Sequence, residues 1–287
     1  MEEEPGSTPA PTPPGNPGAE PAVEAAPVGN GSGEPILEAT LVGTTGDGPA
    51  PPAIVQAELA PGSVRGRDLL AGVGIIWAVE LALAGVFILS GGMKAEGPTT
   101  PIMILLTTLL STAAVFVVSW RFVCRKYGRS LVEGFAIRPV PAQALLTSAA
   151  IGVVSAVIAA ALCYLFSTGE SFMQNLVSTP LGFAVMMFLA LTVPPFEEIY
   201  YRGFIFPILT QKLGVVGGIL LVTVWFGVAH AFQLAKDPIG LAIVVVMGLV
   251  WTLQRHLSRS LVPSIVSHWV YNAVLFTVSL LVQNGNG

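Results

Sequence analysis

The sequence predicts an all-α protein, a polytopic bundle of about seven transmembrane helices preceded by a disordered N-terminal tail. Of its 287 residues, 53% are hydrophobic and only 10% are charged, whereas a soluble domain carries about 25% charged residues. Long apolar segments recur from residue 69 onwards, and a helix needs about 20 apolar residues to cross a bilayer. A chain so poor in charge cannot cover a water-facing surface, so lipid is expected to be its main solvent.

The N-terminal region, residues 1–64, differs in composition from the rest of the chain. It contains nine acidic residues and no lysine or arginine, and it is rich in proline, glycine and alanine. Such a segment buries too little apolar surface to offset its chain entropy, which predicts disorder. A secretory leader begins with positive charge, whereas this sequence begins MEEEPGSTPAP. The first apolar segment is therefore expected to remain in the protein as a membrane anchor.

The apolar segments divide into seven candidate spans. These are residues 69–90, 101–120, 142–166, 180–209, 215–234, 239–257 and 261–282. The fourth span is long and contains Pro194 and Pro195, which could kink it or divide it in two because proline lacks a backbone N–H. A division there would raise the count to eight.

Basic residues in the loops predict the orientation. After residue 64 the chain has eight acidic and 13 basic residues. The basic ones precede span one, separate spans two and three, and follow spans four and six, whereas only Lys94 and Lys236 fall on the other side. The positive-inside rule then predicts a cytoplasmic N-terminus in a bacterial-type cell membrane. Seven spans place the C-terminus outside, and an eighth would reverse it.

Ionisable residues inside apolar spans are costly and therefore indicate function. In span four, Glu198 and Arg202 are four residues apart, so they share a helix face and can neutralise each other. Glu197 is rotated by about 100° from Glu198 and lacks this partner. A carboxylate without a fixed counter-ion suits the role of general base.

Two further spans carry polar groups at a similar depth. His230 lies in span five, and His268 lies in span seven on the same face as Asn272. At about 1.5 Å per residue, both histidines and Glu197 fall within roughly 6 Å of the bilayer midplane. The three helices are therefore expected to present these groups to one another.

This set of residues suits hydrolysis in two ways. Glu197 and His230 could activate water directly or through a metal, while His268 and Asn272 donate hydrogen bonds to an oxyanion. Alternatively, Glu197, His230 and His268 could hold a zinc ion with one open coordination position. The sequence lacks HExxH, so it does not have the helix-borne zincin arrangement.

The same residues fall into three short motifs. In chain order they are EExxxR (Glu197, Glu198, Arg202), FxxxH (Phe226, His230) and HxxxN (His268, Asn272). Over about residues 180–280 the chain thereby resembles the CAAX-protease and bacteriocin-processing (CPBP) family, also called the Abi or type II CAAX prenyl endopeptidase family. Composition, apolar pattern and this resemblance together divide the chain into a tail (1–64), about three N-terminal transmembrane helices (65–179) and a catalytic core of about four helices (180–287).

The resemblance implies an intramembrane endopeptidase. It assigns water activation to Glu197 and His230, oxyanion stabilisation to His268 and Asn272, and site shaping or substrate binding to the Glu198–Arg202 pair. Family members are described as metalloproteases or as glutamate-dependent proteases without a catalytic metal. The implied partners are the lipid bilayer and a peptide or lipidated protein, prenylated CAAX proteins in the eukaryotic branch, and no nucleic acid.

Two other functions remain open from the residues alone. One is a non-catalytic immunity or regulatory factor of the same fold, although such a factor does not need both Glu197 and His230. The other is a transporter or proton relay. The polar residues are concentrated in the C-terminal half without an inverted repeat, which disfavours a transporter. Glu80, in span one, could line a water path, pair with a base or be protonated.

Overall fold

The computed structural model of the protein describes residues 65–90, 100–166, 176–231 and 233–285. The predicted acidic tail, residues 1–64, lies outside these ranges. The described residues contain helices and no β-strand, which confirms the predicted all-α class. In chain order the helices are α1 (Gly66–Leu89), α2 (Thr100–Val123), α3 (Leu131–Gly134), α4 (Ala142–Phe166), α5 (Pro180–Thr192), α6 (Pro194–Glu198), α7 (Phe206–Ala231), α8 (Pro238–Ser258) and α9 (Val262–Gly285). A π-helical segment, Ile199–Ile205, joins α6 to α7.

Helix length and composition identify the chain as an integral membrane protein. Among the described residues, five helical stretches are long and apolar enough to cross a bilayer. They are Gly66–Leu89, Thr100–Tyr127, Ala142–Phe166, Pro194–Ala231 and Pro238–Ser258. Two shorter apolar helices, Pro180–Thr192 and Val262–Val278, come from the parts of the chain predicted as spans four and seven.

The predicted fourth and fifth spans are joined differently from a simple pair of helices. Hydrogen bonding changes at the proline pair, where α5 ends at Thr192, yet Val193 keeps helical dihedral angles (φ −76°, ψ −37°). The clear backbone break comes later, at Gly214 (φ 72°, ψ 173°) within α7. Only glycine adopts such angles without strain. The boundary between spans four and five therefore falls at Gly214, between the predicted limits 209 and 215.

Close helix packing holds the last helix of the chain in place. The most extensive contact is between α4 and α9, and it is close enough that a Cβ on Gly152 would lie 2.6 Å from the Ser267 carbonyl oxygen. Small residues allow this approach between membrane helices. Because His268 follows Ser267 directly, this packing also fixes the position of the histidine.

The segment between spans two and three contains the short helix α3. Ser130 and Glu133 form a reciprocal capping box at its start, because Ser130 Oγ accepts from the Glu133 N–H and Glu133 accepts from the Ser130 N–H. The following loop binds the α8–α9 turn, where the Leu261 N–H donates to the Ala136 oxygen over 3.0 Å. The loop thereby fixes the start of α9.

Candidate active site

Two adjacent glutamates at the end of α6 lie in different environments. Glu198 is fully buried, and its Oε1 accepts a hydrogen bond from Arg202 Nη1 over 2.9 Å. Both side chains have no exposed surface, in agreement with the expected self-neutralising pair. The Glu197 side chain is 26% exposed. Glu198 is therefore an internal, structural carboxylate, whereas the Glu197 carboxylate is accessible from outside the bundle.

Arg202 also ties this segment to α8. Its Nη2 donates to the Gly248 carbonyl oxygen over 2.7 Å, and its Nε donates to the Thr252 hydroxyl over 3.2 Å. The guanidinium lies 4.7 Å from the centre of the Phe226 ring, within cation–π range. These contacts are all internal, which favours the site-shaping alternative for Arg202 over substrate binding.

His268 projects from α9 against Glu198. Its Nδ1 donates to Glu198 Oε1 over 3.0 Å, and its ring stacks on the Trp251 ring with a centroid distance of 3.6 Å. With Nδ1 and one face of the ring engaged, the other nitrogen, Nε2, lies 3.7 Å from Glu197 Oε2. The ring orientation is thus determined by Glu198 and Trp251 together.

His230 approaches Glu197 from α7. Its Nδ1 donates to the Phe226 carbonyl oxygen, 2.8 Å away and one turn earlier on the same helix. Its Nε2 lies 3.9 Å from Glu197 Oε1, and 20% of the side chain is exposed. Each histidine therefore has its Nδ1 hydrogen-bonded and its Nε2 turned towards a different oxygen of Glu197.

Asn272 contacts another part of the chain. Its Nδ2 donates to the Ala190 carbonyl oxygen in α5 over 3.0 Å, whereas the Trp269 indole N–H, also on α9, donates to the Leu191 carbonyl oxygen. The structure thus brings Glu197, His230 and His268 together and places Asn272 against the turn that precedes Glu197. The expected oxyanion role of Asn272 remains a prediction.

Several residues around the site carry no motif in the sequence. Trp251, Gly248 and Thr252 all lie on α8, a helix that carries none of the three sequence motifs. The only signal is the spacing of three and four residues, which places them near one helix face. That spacing becomes informative only once α8 is known to lie beside Arg202.

The zinc alternative can be compared with the arrangement of donors. Imidazole nitrogen and carboxylate oxygen are both ligands that zinc accepts. Within the residues that the structure describes, however, no group of three or more His, Cys, Asp or Glu side chains is arranged to hold a metal ion. The side chains in their present positions do not form such a site, so zinc stays a prediction.

Glu80, the ionisable residue of span one, has a partner on the neighbouring helix. Its carboxylate accepts a hydrogen bond from the Ser111 hydroxyl on α2. A polar contact between adjacent helices is an ordinary way to accommodate a buried carboxyl group in a membrane. Glu80 therefore serves as a comparison for Glu197, because both are glutamates within apolar helices.

Comparison with known proteins gives one match. Residues 178–274 match the family model described as Rce1-like, type II CAAX prenyl endopeptidase Rce1-like. The matched region contains all six predicted site residues, but it leaves out the four helices α1 to α4. No curated protein and no solved structure shows significant similarity to the chain.

Proposed function

Because residues 178–274 match the Rce1-like type II CAAX prenyl endopeptidase family model, we propose that the protein is an intramembrane endopeptidase in which Glu197 activates a water molecule. One observation carries the proposal: the Glu197 carboxylate lies between the Nε2 atoms of His230 and His268, at 3.9 Å and 3.7 Å. The three side chains come from three different helical segments of an apolar bundle. Such convergence of ionisable groups inside a membrane protein indicates a reaction site.

His230 and Glu197 are the groups proposed to activate water. Their 3.9 Å separation is too long for a direct hydrogen bond, and it leaves room for a water molecule that donates one proton to each. His230 Nε2 can accept, because the proton of the neutral ring is held on Nδ1 by the Phe226 carbonyl oxygen. Glu197 then takes the proton as the water oxygen attacks the scissile carbonyl carbon.

His268 is proposed to stabilise the oxyanion that this attack creates. Its Nδ1–H is held by the buried Glu198 carboxylate, and in the doubly protonated ring Nε2–H is free to donate to the negatively charged oxygen. Trp251 stacks on the ring, and an aromatic face favours a cationic partner. The Glu198–Arg202 pair would thus act by orienting His268.

The intermediate collapses with a second proton transfer. The carbon–nitrogen bond breaks, and protonated Glu197 donates its proton to the leaving amine, which restores the carboxylate. The new carboxyl group of the product keeps the oxygen and the second proton of the water, and it releases that proton when it ionises. One general base that later serves as general acid is sufficient for the whole cycle.

The substrate class proposed for this site is a membrane-associated peptide, with prenylated CAAX-type peptides as the first choice. Glu197 and His230 are partly exposed, at 26% and 20% of their side chains, so a substrate within the bilayer can reach them. A prenyl group would partition into the same apolar environment that surrounds the helices. The family description names this substrate class for the family.

The test is cleavage of a farnesylated CAAX peptide by the full-length protein purified in detergent. We expect Glu197→Gln and His230→Ala to lower kcat by about 10²- to 10⁴-fold, with unchanged melting temperatures. Glu80→Gln is the matched control and should retain full activity, because it changes a glutamate whose partner is Ser111. Normal cleavage by both site variants would refute the catalytic assignment, and folded wild-type protein that cleaves nothing would favour the regulatory-factor alternative.

Chelation separates the two forms of water activation. Cleavage by wild-type protein is measured before and after treatment with 1,10-phenanthroline, followed by removal of the chelator and addition of zinc. Loss of activity that zinc restores would assign a metal to Glu197, His230 and His268. Activity that persists in metal-free protein would support water activation by the two side chains alone.

The orientation is part of the same proposal. With the N-terminus in the cytoplasm, the basic loops lie on the cytoplasmic side, and seven spans place the C-terminus outside. A reporter fused to the C-terminus should be active only on the outer side of the membrane. A cytoplasmic reporter signal would contradict the seven-span arrangement.

A further inference from the structure

The proline pair removes two backbone donors directly before Glu197. In a continuous helix, residues 194 and 195 would donate to the carbonyl oxygens of Ala190 and Leu191, but Pro194 and Pro195 have no N–H. Backbone bonding continues on either side, although the Phe196 N–H donates to the Val193 oxygen over 2.9 Å and not to the Thr192 oxygen. The Val193 N–H donates to the Leu189 oxygen over 2.9 Å, and the Glu197 N–H donates to the Val193 oxygen over 3.2 Å.

Two side chains of α9 take the place of the missing donors. Asn272 Nδ2 donates to the Ala190 oxygen over 3.0 Å, and the Trp269 indole N–H donates to the Leu191 oxygen. Trp269 and Asn272 are three residues apart, so they project from one face of the helix. The two carbonyl groups released by the prolines are thus the two that accept from α9.

These two hydrogen bonds link the segment that precedes Glu197 to the helix that carries His268. Glu197 is the second residue after Pro195, and His268 is the residue before Trp269. A carbonyl group left without a donor in a bilayer costs several kcal/mol, so the two bonds strongly favour one register of α9 against α5. In that register Glu197 Oε2 and His268 Nε2 are 3.7 Å apart.

We propose that Asn272 and Trp269 are positioning residues, which replace the backbone hydrogen bonds lost at the proline pair and thereby set the distance between Glu197 and His268. This inference rests on the proposed endopeptidase function, since the distance matters only if both groups take part in one reaction.

The first experiment restores the missing backbone donor. Asn272→Leu removes the side-chain donor, and we expect kcat for the farnesylated CAAX peptide to fall about 10- to 100-fold with little change in KM. Adding Pro194→Ala returns an N–H that can bond Ala190, so the double variant should recover most of the lost kcat. Adding Pro195→Ala instead should not help, because that N–H faces Leu191.

Trp269 allows the same test at the second carbonyl. Trp269→Phe keeps an aromatic ring but removes the indole N–H. Its kcat should fall, and Pro195→Ala should restore it, whereas Pro194→Ala should not. Trp77→Phe is the matched control, because Trp77 is a partly exposed tryptophan on α1, and it should leave kcat unchanged.

Thermal unfolding in detergent provides a readout that does not depend on turnover. Asn272→Leu and Trp269→Phe should each lower the melting temperature by about 3 °C, and only the matched proline variant should recover it. Absence of this specific coupling in melting temperature would overturn the proposal. So would an Asn272→Leu variant that melts normally and stays inactive with Pro194→Ala, because Asn272 would then act on the substrate.

The outcomes separate this inference from the proposed function. If Glu197→Gln cleaves the peptide as well as the wild type, the catalytic assignment fails, and Asn272 and Trp269 have no reaction to position. The melting temperatures of the single and double variants would then still show whether the α9 side chains replace the backbone hydrogen bonds. If Glu197→Gln is inactive and the matched proline variants do not restore the melting temperature, only the positioning inference fails.

Discussion

Glu198 Oε1 accepts hydrogen bonds from both His268 Nδ1, over 3.0 Å, and Arg202 Nη1, over 2.9 Å. One oxygen atom therefore joins a histidine of the proposed site to a fully buried arginine. Arg202 is itself fixed to Gly248 and Thr252 of α8. The position of His268 consequently depends on α8, although no residue of that helix is proposed to contact the substrate.

This relationship predicts opposite effects for the two adjacent glutamates. Glu198→Gln leaves Arg202 buried without its counter-ion, which costs about 3–5 kcal/mol, so we expect a much lower melting temperature and poor recovery of folded protein. Glu197→Gln changes a partly exposed side chain and should melt like the wild type while losing cleavage. Melting curves from tryptophan fluorescence, with size-exclusion profiles, compare the two. Equal melting temperatures would contradict the division into a structural and a reactive carboxylate.

The contact between Arg202 and α8 predicts that the Thr252 hydroxyl group contributes to the free energy of unfolding. Thr252→Val removes the acceptor of Arg202 Nε and should lower the stability by about 1–3 kcal/mol. Thr223→Val is the matched control, because Thr223 is also buried but its hydroxyl has no hydrogen-bond partner among the residues that the structure describes. Its replacement should not destabilise the protein. The melting temperatures of the two variants decide the point, and a larger loss for Thr223→Val would show that Arg202 does not depend on Thr252.

The parts of the fold that follow from local pattern could be predicted from the sequence. Apolar length predicts α1, α2, α4 and α8 within a few residues, because lipid requires a continuous apolar helix. Spacing along one helix predicts the ion pair of Glu198 with Arg202, which are four residues apart in any helical geometry. Similar depth in the bilayer predicted that Glu197, His230 and His268 could meet, and the two histidine Nε2 atoms lie 3.9 Å and 3.7 Å from the Glu197 carboxylate.

Contacts between distant segments could not be predicted in the same way. Gly248 and Thr252 are 46 and 50 residues from Arg202 along the chain, and nothing in their local sequence marks them as its partners. The proline pair predicts a local change in hydrogen bonding. It does not predict that Asn272, 82 residues away from Ala190 along the chain, supplies a donor there. Such pairs depend on how the helices pack, which apolar periodicity does not specify when lipid surrounds the bundle.

The close packing of α4 on α9 predicts that one glycine controls the position of His268. A Cβ at residue 152 would lie 2.6 Å from the Ser267 oxygen and 3.0 Å from Val270 Cβ, so α9 must move if Gly152 is replaced. Overpacking of this kind costs about 1–3 kcal/mol, and a displacement of about 1 Å can lower a rate by about 10²-fold. We therefore expect Gly152→Ala to lower both the melting temperature and kcat. Gly74→Ala is the control, because a Cβ at residue 74 meets no atom of the described part of the chain within 4 Å and alanine favours the helix. If Gly152→Ala melts and cleaves like Gly74→Ala, the α4–α9 contact does not hold His268 against Glu197.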